Sequence, residues 1–266
     1  MIRVIHLSDL HMHKSRHKVD NRNAATLVQH VLRQFKGAPK SKTYVVLTGD
    51  CVDDAVGRQY GQLGRNVLAP LAERFSVLAA PGNHDYAFAG NLFDKKAPVR
   101  FRRYVGPYVS GVTYPCRTAN HAERVLFIGL DSADPGDQQW FAEGVIGKNQ
   151  REALRKILED DKYDEYFKIA YLHHHPFFRD VGLALHDYEE LLELVAERVD
   201  LVLFGHKHKG EAFFGRFRVP LMLASGKVTE AQGEALVFRV VEIDDGKLVG
   251  LHTEEIPSAD STPIYA

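Results

Sequence analysis

The chain has 266 residues, of which 45% are apolar and 26% are charged, and its formal net charge is −1. This composition is typical of a folded globular protein with a sizeable core, and it excludes a largely disordered chain. The 34 basic and 35 acidic side chains nearly balance. The sequence as a whole is therefore not attracted to nucleic acid or to an anionic membrane.

Cysteine content and the N-terminal segment bear on the compartment. The two cysteines, Cys51 and Cys116, are not at zinc-ligand or redox spacing, and one pair cannot form a disulfide framework. The first residues, MIRVIHLSDLH, lack the pattern of a secretory signal, and no segment approaches the roughly 20 apolar residues that span a bilayer. We expect a cytoplasmic protein in a reducing compartment, with no membrane partner.

Apolar runs of strand type alternate with helix-spaced runs along most of the chain. Strands are predicted over residues 2–7, 44–47, 75–80, 124–130, 167–172 and 201–204. Helices are predicted over residues 24–35, 60–71, 154–158 and 188–195. This alternation is typical of a layered α/β core.

Two regions depart from this alternation. Residues 219–224, 235–243 and 248–254 are predicted strands joined by short turns, which favours a second, more antiparallel sheet. Residues 86–120 are rich in Phe, Tyr, Arg, Gly and Pro and are predicted to form an insertion on the substrate side. We therefore expect one domain over residues 1–256 and a tail over residues 257–266.

Polar clusters of one chemical kind follow five of the predicted strands. They are Asp9-Leu10-His11, Gly49-Asp50, Gly82-Asn83-His84-Asp85, His173-His174-His175 and Gly205-His206-Lys207-His208. In open α/β sheets, ligand sites assemble at the carboxyl ends of the strands. Any one of these clusters could be an ordinary polar loop. Five such clusters after five successive strands are not expected by chance.

These carboxylate, imidazole and amide groups are typical ligands of manganese, zinc or iron. The set exceeds the demand of one ion, so a bridged pair of divalent or trivalent ions is predicted. In Asp9-x-His11 and in His206-x-His208, a spacing of two in extended backbone places both side chains on the same face.

The ordered set resembles the signature of the calcineurin-like metallophosphoesterases, and it extends over residues 9–208. The resemblance implies a four-layer αββα sandwich, in which two mixed β-sheets are flanked by helices. It also implies that Asp9, His11 and His208 hold the first metal, that Asp50 bridges both, and that Asn83, His174 and His206 hold the second. His174 is chosen from the three histidines because the family's ligand lies two positions before a proline, here Pro176. His173 and His175 are then expected to be structural or to support a ligand.

The resemblance also assigns roles in catalysis. A metal-bridging hydroxide would attack phosphorus in line with the leaving group, without a phosphoenzyme. His84 resembles the family histidine that contacts the phosphoryl oxygen or protonates the leaving group, so Asn83 and His84 are the expected substrate contacts. Asp53 occupies the place of an aspartate that orients this histidine, although it could equally be a solvated loop carboxylate. Purple acid phosphatases have a tyrosine at this position, which argues against that branch.

The expected partner is a small-molecule phosphate ester. The preferred reading is a phosphodiesterase, because the chain resembles class III cyclic nucleotide phosphodiesterases and glycerophosphodiesterases in size and in the segments at residues 130–132, 147–154 and 173–176. The aromatic and arginine residues of the insertion could stack a nucleobase, or they could pack the insertion onto the core. The alternatives are a phosphomonoesterase of small molecules or phosphoproteins and, from another class, a non-catalytic metal-binding scaffold. Nucleic acid is not expected as a substrate, and the oligomeric state is left open.

Overall fold

A computed structural model describes residues 1–88, 92–133, 142–177, 182–231 and 235–259. Its α-helices are α1 (Val19–Gln34), α2 (Gly57–Leu63), α3 (Ala69–Arg74), α4 (Asn83–Tyr86), α5 (Ala97–Val105), α6 (Lys148–Leu158) and α7 (Tyr188–Val195), and a π-helical turn, Gly64–Leu68, joins α2 to α3. Its strands are β1 (Ile2–Leu7), β2 (Thr43–Thr48), β3 (Ser76–Ala80), β4 (Ala87–Phe88), β5 (Leu92–Phe93), β6 (Cys116–Asn120), β7 (Val125–Gly129), β8 (Phe167–Tyr171), β9 (Leu201–Phe204), β10 (Gly210–Phe214), β11 (Leu221–Ser225), β12 (Ala235–Asp244) and β13 (Lys247–Pro257).

Apart from β4 and β5, which pair with each other, the described strands form two mixed sheets, and this confirms the predicted fold class. The first sheet has the order β13-β12-β1-β2-β3, and the second has the order β10-β11-β9-β8-β7-β6. Strands β1, β2 and β3 are parallel, as are β11, β9, β8 and β7. Parallel neighbours are buried on both faces, which explains why their sequences are continuous apolar runs.

Three apolar clusters hold the four layers together. Between the sheets, Val4 and Val46 of the first sheet share a cluster with Phe127 and Ile169 of the second. The outer face of the first sheet packs against α1, whose apolar residues recur at helical spacing and are buried. The outer face of the second sheet packs in the same way against α6 and α7. Burial of these faces is the main source of stability for the architecture.

The C-terminal strands do not form a sheet of their own, so that prediction was wrong. Strand β11 joins the second sheet beside β9, whereas β12 and β13 extend the first sheet by antiparallel pairing with β1. Antiparallel pairing was correctly expected, but the alternation of a strand predicts only that it has a partner and does not identify which one.

Residues 86–120 contain regular structure that the sequence pattern did not reveal. Helix α5 buries Ala97, Phe101 and Val105 at a spacing of four, and its short length between Pro98 and Gly106 obscures that pattern. Strand β6 is a half-exposed edge strand of polar composition. The insertion is therefore partly an edge of the second sheet.

The aromatic side chains of this region that the structure describes pack onto the core, whereas the side chain of Phe88 lies outside the described part. Tyr86 is 2% exposed and Phe101 is fully buried. Tyr104 stacks on Tyr60 with ring centroids 5.6 Å apart. Phe93 also packs against this core. These rings are consequently not available to stack on a nucleobase.

The last described residues pack against the body of the protein. After β13, Ser258 is buried and the Ala259 N–H donates to the side chain of Asn23. Most of the predicted tail, residues 260–266, lies outside the described residues. Within the described residues, no helix is long and apolar enough to cross a membrane.

His6 of β1 is a fully buried histidine whose protonation affects stability. Its Nε2 lies 2.9 Å from Thr48 Oγ1, and its Nδ1 has no partner among the described residues. Burial, reinforced by the charge of Arg239, lowers the pKa of His6 to about 3. The folded protein therefore keeps His6 neutral where the unfolded chain protonates it.

We expect His6 to make unfolding easier in acid. As the pH falls from 6.5 towards 3, only the unfolded chain takes up this proton, so the free energy of unfolding decreases by about 1.4 kcal/mol per pH unit from this residue alone. Urea unfolding of the wild type and of His6→Gln, measured from pH 7 to pH 4.5, should give a difference that shrinks in acid. His17→Gln, at an exposed histidine, is the control. A constant difference between wild type and His6→Gln would contradict this account.

Candidate metal centre

The five polar clusters converge at one edge of the two sheets. They follow β1, β2, β3, β8 and β9, which run in parallel within their sheets and present their carboxyl ends there. The convergence explains why residues far apart in the sequence lie in contact at this edge.

The backbone is strained where these side chains enter the site. Five residues that are not glycine have positive φ, namely Asp9 (54°), His11 (45°), Asp50 (48°), His206 (76°) and His208 (55°). Each such conformation costs about 1–3 kcal/mol and persists only where the surroundings enforce it, most often at functional sites. The sharp turns direct the side chains into the shared edge instead of along the strands.

Two glycines allow the loops to approach closely. A Cβ atom on Gly82 would lie 2.2 Å from Asp50 Oδ1, and one on Gly205 would lie 1.9 Å from Ser8 Oγ. Neither contact is sterically possible, so a side chain at either position would push the loops apart. The glycines of the sequence motifs therefore set the spacing of the site.

The first group of candidate ligands comes from β1, β2 and the loop after β9. Ligand atoms of Asp9, His11, Asp50 and His208 all lie within 4.8 Å of one another. The Nε2 atoms of His11 and His208 are 3.1 Å apart, and His11 Nε2 is 3.6 Å from Asp50 Oδ2. His208 Nε2 lies 3.5 Å from Asp9 Oδ1. The structure thus brings all four of these predicted residues together.

The second group shares Asp50 with the first. Asp50, His173 and His206 again offer atoms within 4.8 Å of one another. His173 Nε2 is 3.3 Å from Asp50 Oδ2, 3.1 Å from His206 Nδ1 and 3.0 Å from Asn83 Oδ1. Asp50 therefore lies between the two groups, as expected of a bridging ligand.

The second group has the chemistry of a cation site. His173 Nδ1 lies 2.8 Å from the Thr48 carbonyl oxygen, to which it donates, so its Nε2 is a bare acceptor in the neutral ring. This atom faces the oxygens of Asp50 and Asn83, which are acceptors as well. Acceptors converge in this way only around a positive charge, which is either a proton on His173 Nε2 or a metal ion. The residues present therefore fit a metal ion.

The electrostatics favour positive charge at the same place. Burial alone would raise the pKa of Asp50, but His173, His84 and His11 hold it well below its usual range. Burial opposes a proton on His173, but Asp50 and Asp9 outweigh that effect and raise its pKa to about 9. The carboxylates of Asp50 and Asp9 therefore favour a positive charge at this place, which a proton on His173 or a bound metal ion would supply.

His174, the predicted ligand, is not part of either group, and His173 takes its place. His174 Nδ1 lies 2.9 Å from Ser132 Oγ, and its Nε2 lies 3.1 Å from the carbonyl oxygen of Ala142. Both ring nitrogens therefore have partners outside the cluster. The distance to Pro176 predicts His174 as the ligand, whereas the second group in this structure contains His173.

The alternation of β8 contains the signal that identifies His173. Ile169 and Tyr171 belong to the cluster between the sheets, whereas Ala170 and Leu172 belong to the cluster on the outer face. Successive side chains of a strand point to opposite faces, so the residue after Leu172 faces the first sheet, where Asp50 lies.

Asp85 connects two of the ligand loops. It is fully buried, and its carboxylate accepts from the N–H groups of Gly82 (2.9 Å), Cys51 (3.2 Å) and Val52 (3.3 Å). Burial, together with the charge of Asp50, raises the pKa of Asp85 to about 7. This residue fixes the turn that carries Asn83 against the turn that carries Asp50.

His84 lies beside the first group and is oriented by backbone. Its Nδ1 is 2.7 Å from the carbonyl oxygen of Asp53, and its ring meets that of His11 edge-on with centroids 4.6 Å apart. The His84 N–H also donates to Asp50 Oδ1 at 2.9 Å. Nδ1 therefore carries the proton in the neutral ring, and Nε2 is the nitrogen left to act on a substrate.

The carboxylate of Asp53 has a different partner from the one predicted. Its Oδ2 lies 3.0 Å from His13 Nδ1, and its Oδ1 lies 3.7 Å from His11 Nδ1. His13 Nε2 in turn lies 3.1 Å from Asp20 Oδ2. The main chain of Asp53 orients His84, while its side chain supports the candidate ligand His11. His13 was not among the predicted site residues, although the pattern His11-x-His13 places it two residues after a candidate ligand.

We expect Asp53→Asn to weaken metal binding by about 10–100-fold, the usual effect of losing a carboxylate behind a histidine ligand. The main-chain carbonyl that holds His84 remains in this variant. Manganese titration of the purified protein measures the effect, and excess manganese should restore most of the turnover. Asp54→Asn is the control, because Asp54 contacts Gln59 on α2. Unchanged metal affinity with lost turnover would show that the carboxylate acts elsewhere.

The sequence matches the model of one protein family over most of its length. The model of the calcineurin-like phosphoesterases matches residues 2–210, which contain all five polar clusters. The chain belongs to the calcineurin-like phosphoesterase family. A search of curated proteins finds no significant match.

Solved structures with the same fold cover almost the whole chain. A dimetal phosphatase from Danio rerio has a TM-score of 0.68 at 15% identity, with 97% of this chain and 99% of that chain covered. A purple acid phosphatase from yellow lupin (Lupinus luteus) seeds has a TM-score of 0.63 at 14% identity, with 98% and 52% covered. GAP50, the anchor in the inner membrane complex of Plasmodium, has a TM-score of 0.63 at 16% identity, with 99% and 87% covered.

At these identities the structural likeness shows the fold alone. Family membership adds that this calcineurin-like phosphoesterase is a metal-dependent hydrolase of phosphate esters. The two groups of candidate ligands, joined at Asp50, are where such metal ions would bind.

Proposed function

We propose that this calcineurin-like phosphoesterase hydrolyses phosphodiesters with the help of two metal ions. The observation that carries the proposal is the pair of ligand groups that share Asp50. Asp9, His11 and His208 would hold one ion with Asp50, and Asn83, His173 and His206 would hold the other with Asp50. Imidazole and oxygen ligands without thiolate suit manganese, iron or zinc.

The ions, when bound, would lower the pKa of a water molecule and offset the charge of the phosphoryl oxygens. The chain itself supplies the positioning. His84 is held at Nδ1 by the Asp53 carbonyl, so its Nε2 can donate a proton to the leaving oxygen or a hydrogen bond to the phosphoryl group. Asn83 and His84 are consecutive, so one turn presents both the candidate ligand and the candidate acid.

One feature of the charge around the cluster, the pairing of Lys227 with Asp20, favours a diester over a monoester. A monoester carries close to two negative charges at pH 7, because its second pKa is about 6, whereas a diester carries one. Lys227, whose charge acts on His11 and His208, is already paired with Asp20 at 3.2 Å. The site thus offers little free cationic charge from this lysine for a dianion.

The test compares bis(p-nitrophenyl) phosphate with p-nitrophenyl phosphate on the manganese-loaded protein. We expect the larger kcat/KM for the diester, and 3′,5′-cyclic AMP and cyclic GMP are the natural diesters to test next. A larger kcat/KM for the monoester would support a phosphomonoesterase instead. Binding of metal without cleavage of either ester would support the scaffold alternative.

A further inference from the structure

A polar cavity of about 550 Å³ lies next to the carboxyl end of β7, and none of the candidate metal ligands lines it. Its wall is formed by α5, by residues 112–115, by the end of β7 and by the start of α6. Cavities of this size are typical of small-molecule sites. No step proposed above uses it.

The cavity adjoins the turns that build the metal centre. Asp131 of its wall accepts from the hydroxyl of Tyr86 at 2.7 Å, and Tyr86 ends the helix that begins at Asn83. The next residue, Ser132, accepts from the N–H groups of His173 (3.3 Å) and His174 (3.1 Å). The cavity wall is therefore hydrogen-bonded to the turns that carry Asn83 and His173, and a substituent on the scissile phosphate would have to reach past these turns to enter the cavity.

The wall carries more positive than negative charge. Arg102 of α5 and Lys148 of α6 contribute two cations, and Asp131 contributes the one carboxylate. Arg102 is exposed and forms no ion pair with a described side chain. Lys148 is 82% exposed and lies 3.8 Å from Glu152, a loose surface pair that holds the ammonium only weakly. Both cations are free to turn towards an anion.

The amide and carboxylate groups of the wall are largely committed to the protein. Gln150 Oε1 accepts from the Asp131 N–H, and Gln150 Nε2 donates to the Asp131 carbonyl, both at 2.8 Å. Asp131 Oδ1 accepts from the Ala133 N–H at 2.9 Å, while Oδ2 binds Tyr86. These bonds fix Gln150 and Asp131 within the wall, whereas the exposed side chains of Arg102 and Lys148 can move.

We propose that this cavity binds a second anionic group of the substrate, of carboxylate or phosphate type, remote from the scissile ester. The proposal rests on the proposed function, since the substrate must first engage the metal centre. It narrows the substrate class to phosphodiesters with an acidic substituent. Arginine binds carboxylate and phosphate through paired N–H groups, and lysine adds a point charge.

The test uses p-nitrophenyl alkyl phosphates whose alkyl arm of about two, four or six carbons ends in a carboxylate. The controls are the same compounds with the carboxylate converted to its methyl ester, so that only the end of the arm loses its charge. On the manganese-loaded wild type, we expect kcat/KM to favour the carboxylate over its ester by about tenfold for at least one arm length. The double variant Arg102→Gln, Lys148→Gln should lose this preference and keep its activity on the methyl esters. Arg103→Gln, on the same helix with its guanidinium over the Tyr104 ring, is the matched control.

Two outcomes would overturn the proposal: a wild type without preference for any carboxylate, or a double variant that retains the preference. If the wild type cleaves none of these diesters, the proposed function fails, and calorimetric dissociation constants of the same compounds still decide whether the cavity prefers an anion.

Discussion

His173→Asn is expected to remove one manganese ion from the chain and to lower kcat/KM by more than about a hundredfold. Loss of a residue that supports a ligand costs about 10–100-fold, and loss of the ligand itself should cost more. The physical reason is that His173 Nε2 contacts Asp50, Asn83 and His206 within 3.3 Å. Metal content after gel filtration and hydrolysis of bis(p-nitrophenyl) phosphate measure the two effects.

His174→Gln is the matched control, since it changes the adjacent buried histidine. The ring nitrogens of His174 bond to Ser132 and Ala142 outside the two ligand groups, and its ring packs against His206 with centroids 4.5 Å apart. The variant should therefore keep both metals, while the altered packing lowers thermal stability. If His174→Gln lost metal and His173→Asn did not, the assignment of the ligand would return to His174.

His84→Asn is expected to lower kcat by about 10²–10⁴-fold without loss of metal, the usual range for a general acid or base. His84 Nδ1 is fixed by the Asp53 carbonyl. The ring of His84 belongs to neither of the two ligand groups that share Asp50. Asparagine is chosen because its amide can still donate to that carbonyl.

The leaving group distinguishes the two roles offered for His84. If Nε2 donates a proton to the leaving oxygen, an alkyl diester should suffer far more than a p-nitrophenyl diester, whose phenolate leaves without help. Equal losses on both would favour a hydrogen bond to the phosphoryl oxygen. His121→Asn, at an exposed histidine, controls for general effects of the substitution. Loss of metal from His84→Asn would contradict the division of roles altogether.

The sequence predicted the layered α/β fold and most of the candidate site because these depend on local patterns. Buried parallel strands require continuous apolar runs, and ligands at their carboxyl ends appear directly after those runs, as with Asp50 and His206. Strand partners were harder to predict, because β12 pairs with β1 from the far end of the chain. Such pairing depends on tertiary packing and has no local signal.

The differences between the predicted site and the site in the structure have the same physical origin. Whether His173 or His174 faces Asp50 depends on which face of β8 meets the first sheet, and a motif position relative to Pro176 does not contain that information. The carboxylate of Asp53 lies near His13 and His11 because the loop after β2 runs beside the loop after β1. The cavity next to Asp131 is formed by four separate segments, which no single stretch of sequence could have revealed.

The most direct test of the two-metal claim is the number of manganese ions bound by the wild type, together with their electron paramagnetic resonance spectrum. Two ions per chain with an exchange-coupled spectrum are expected, because Asp50 lies within 3.6 Å of a candidate ligand atom in each group. One ion per chain, or two with the spectrum of isolated manganese, would contradict a centre bridged by Asp50.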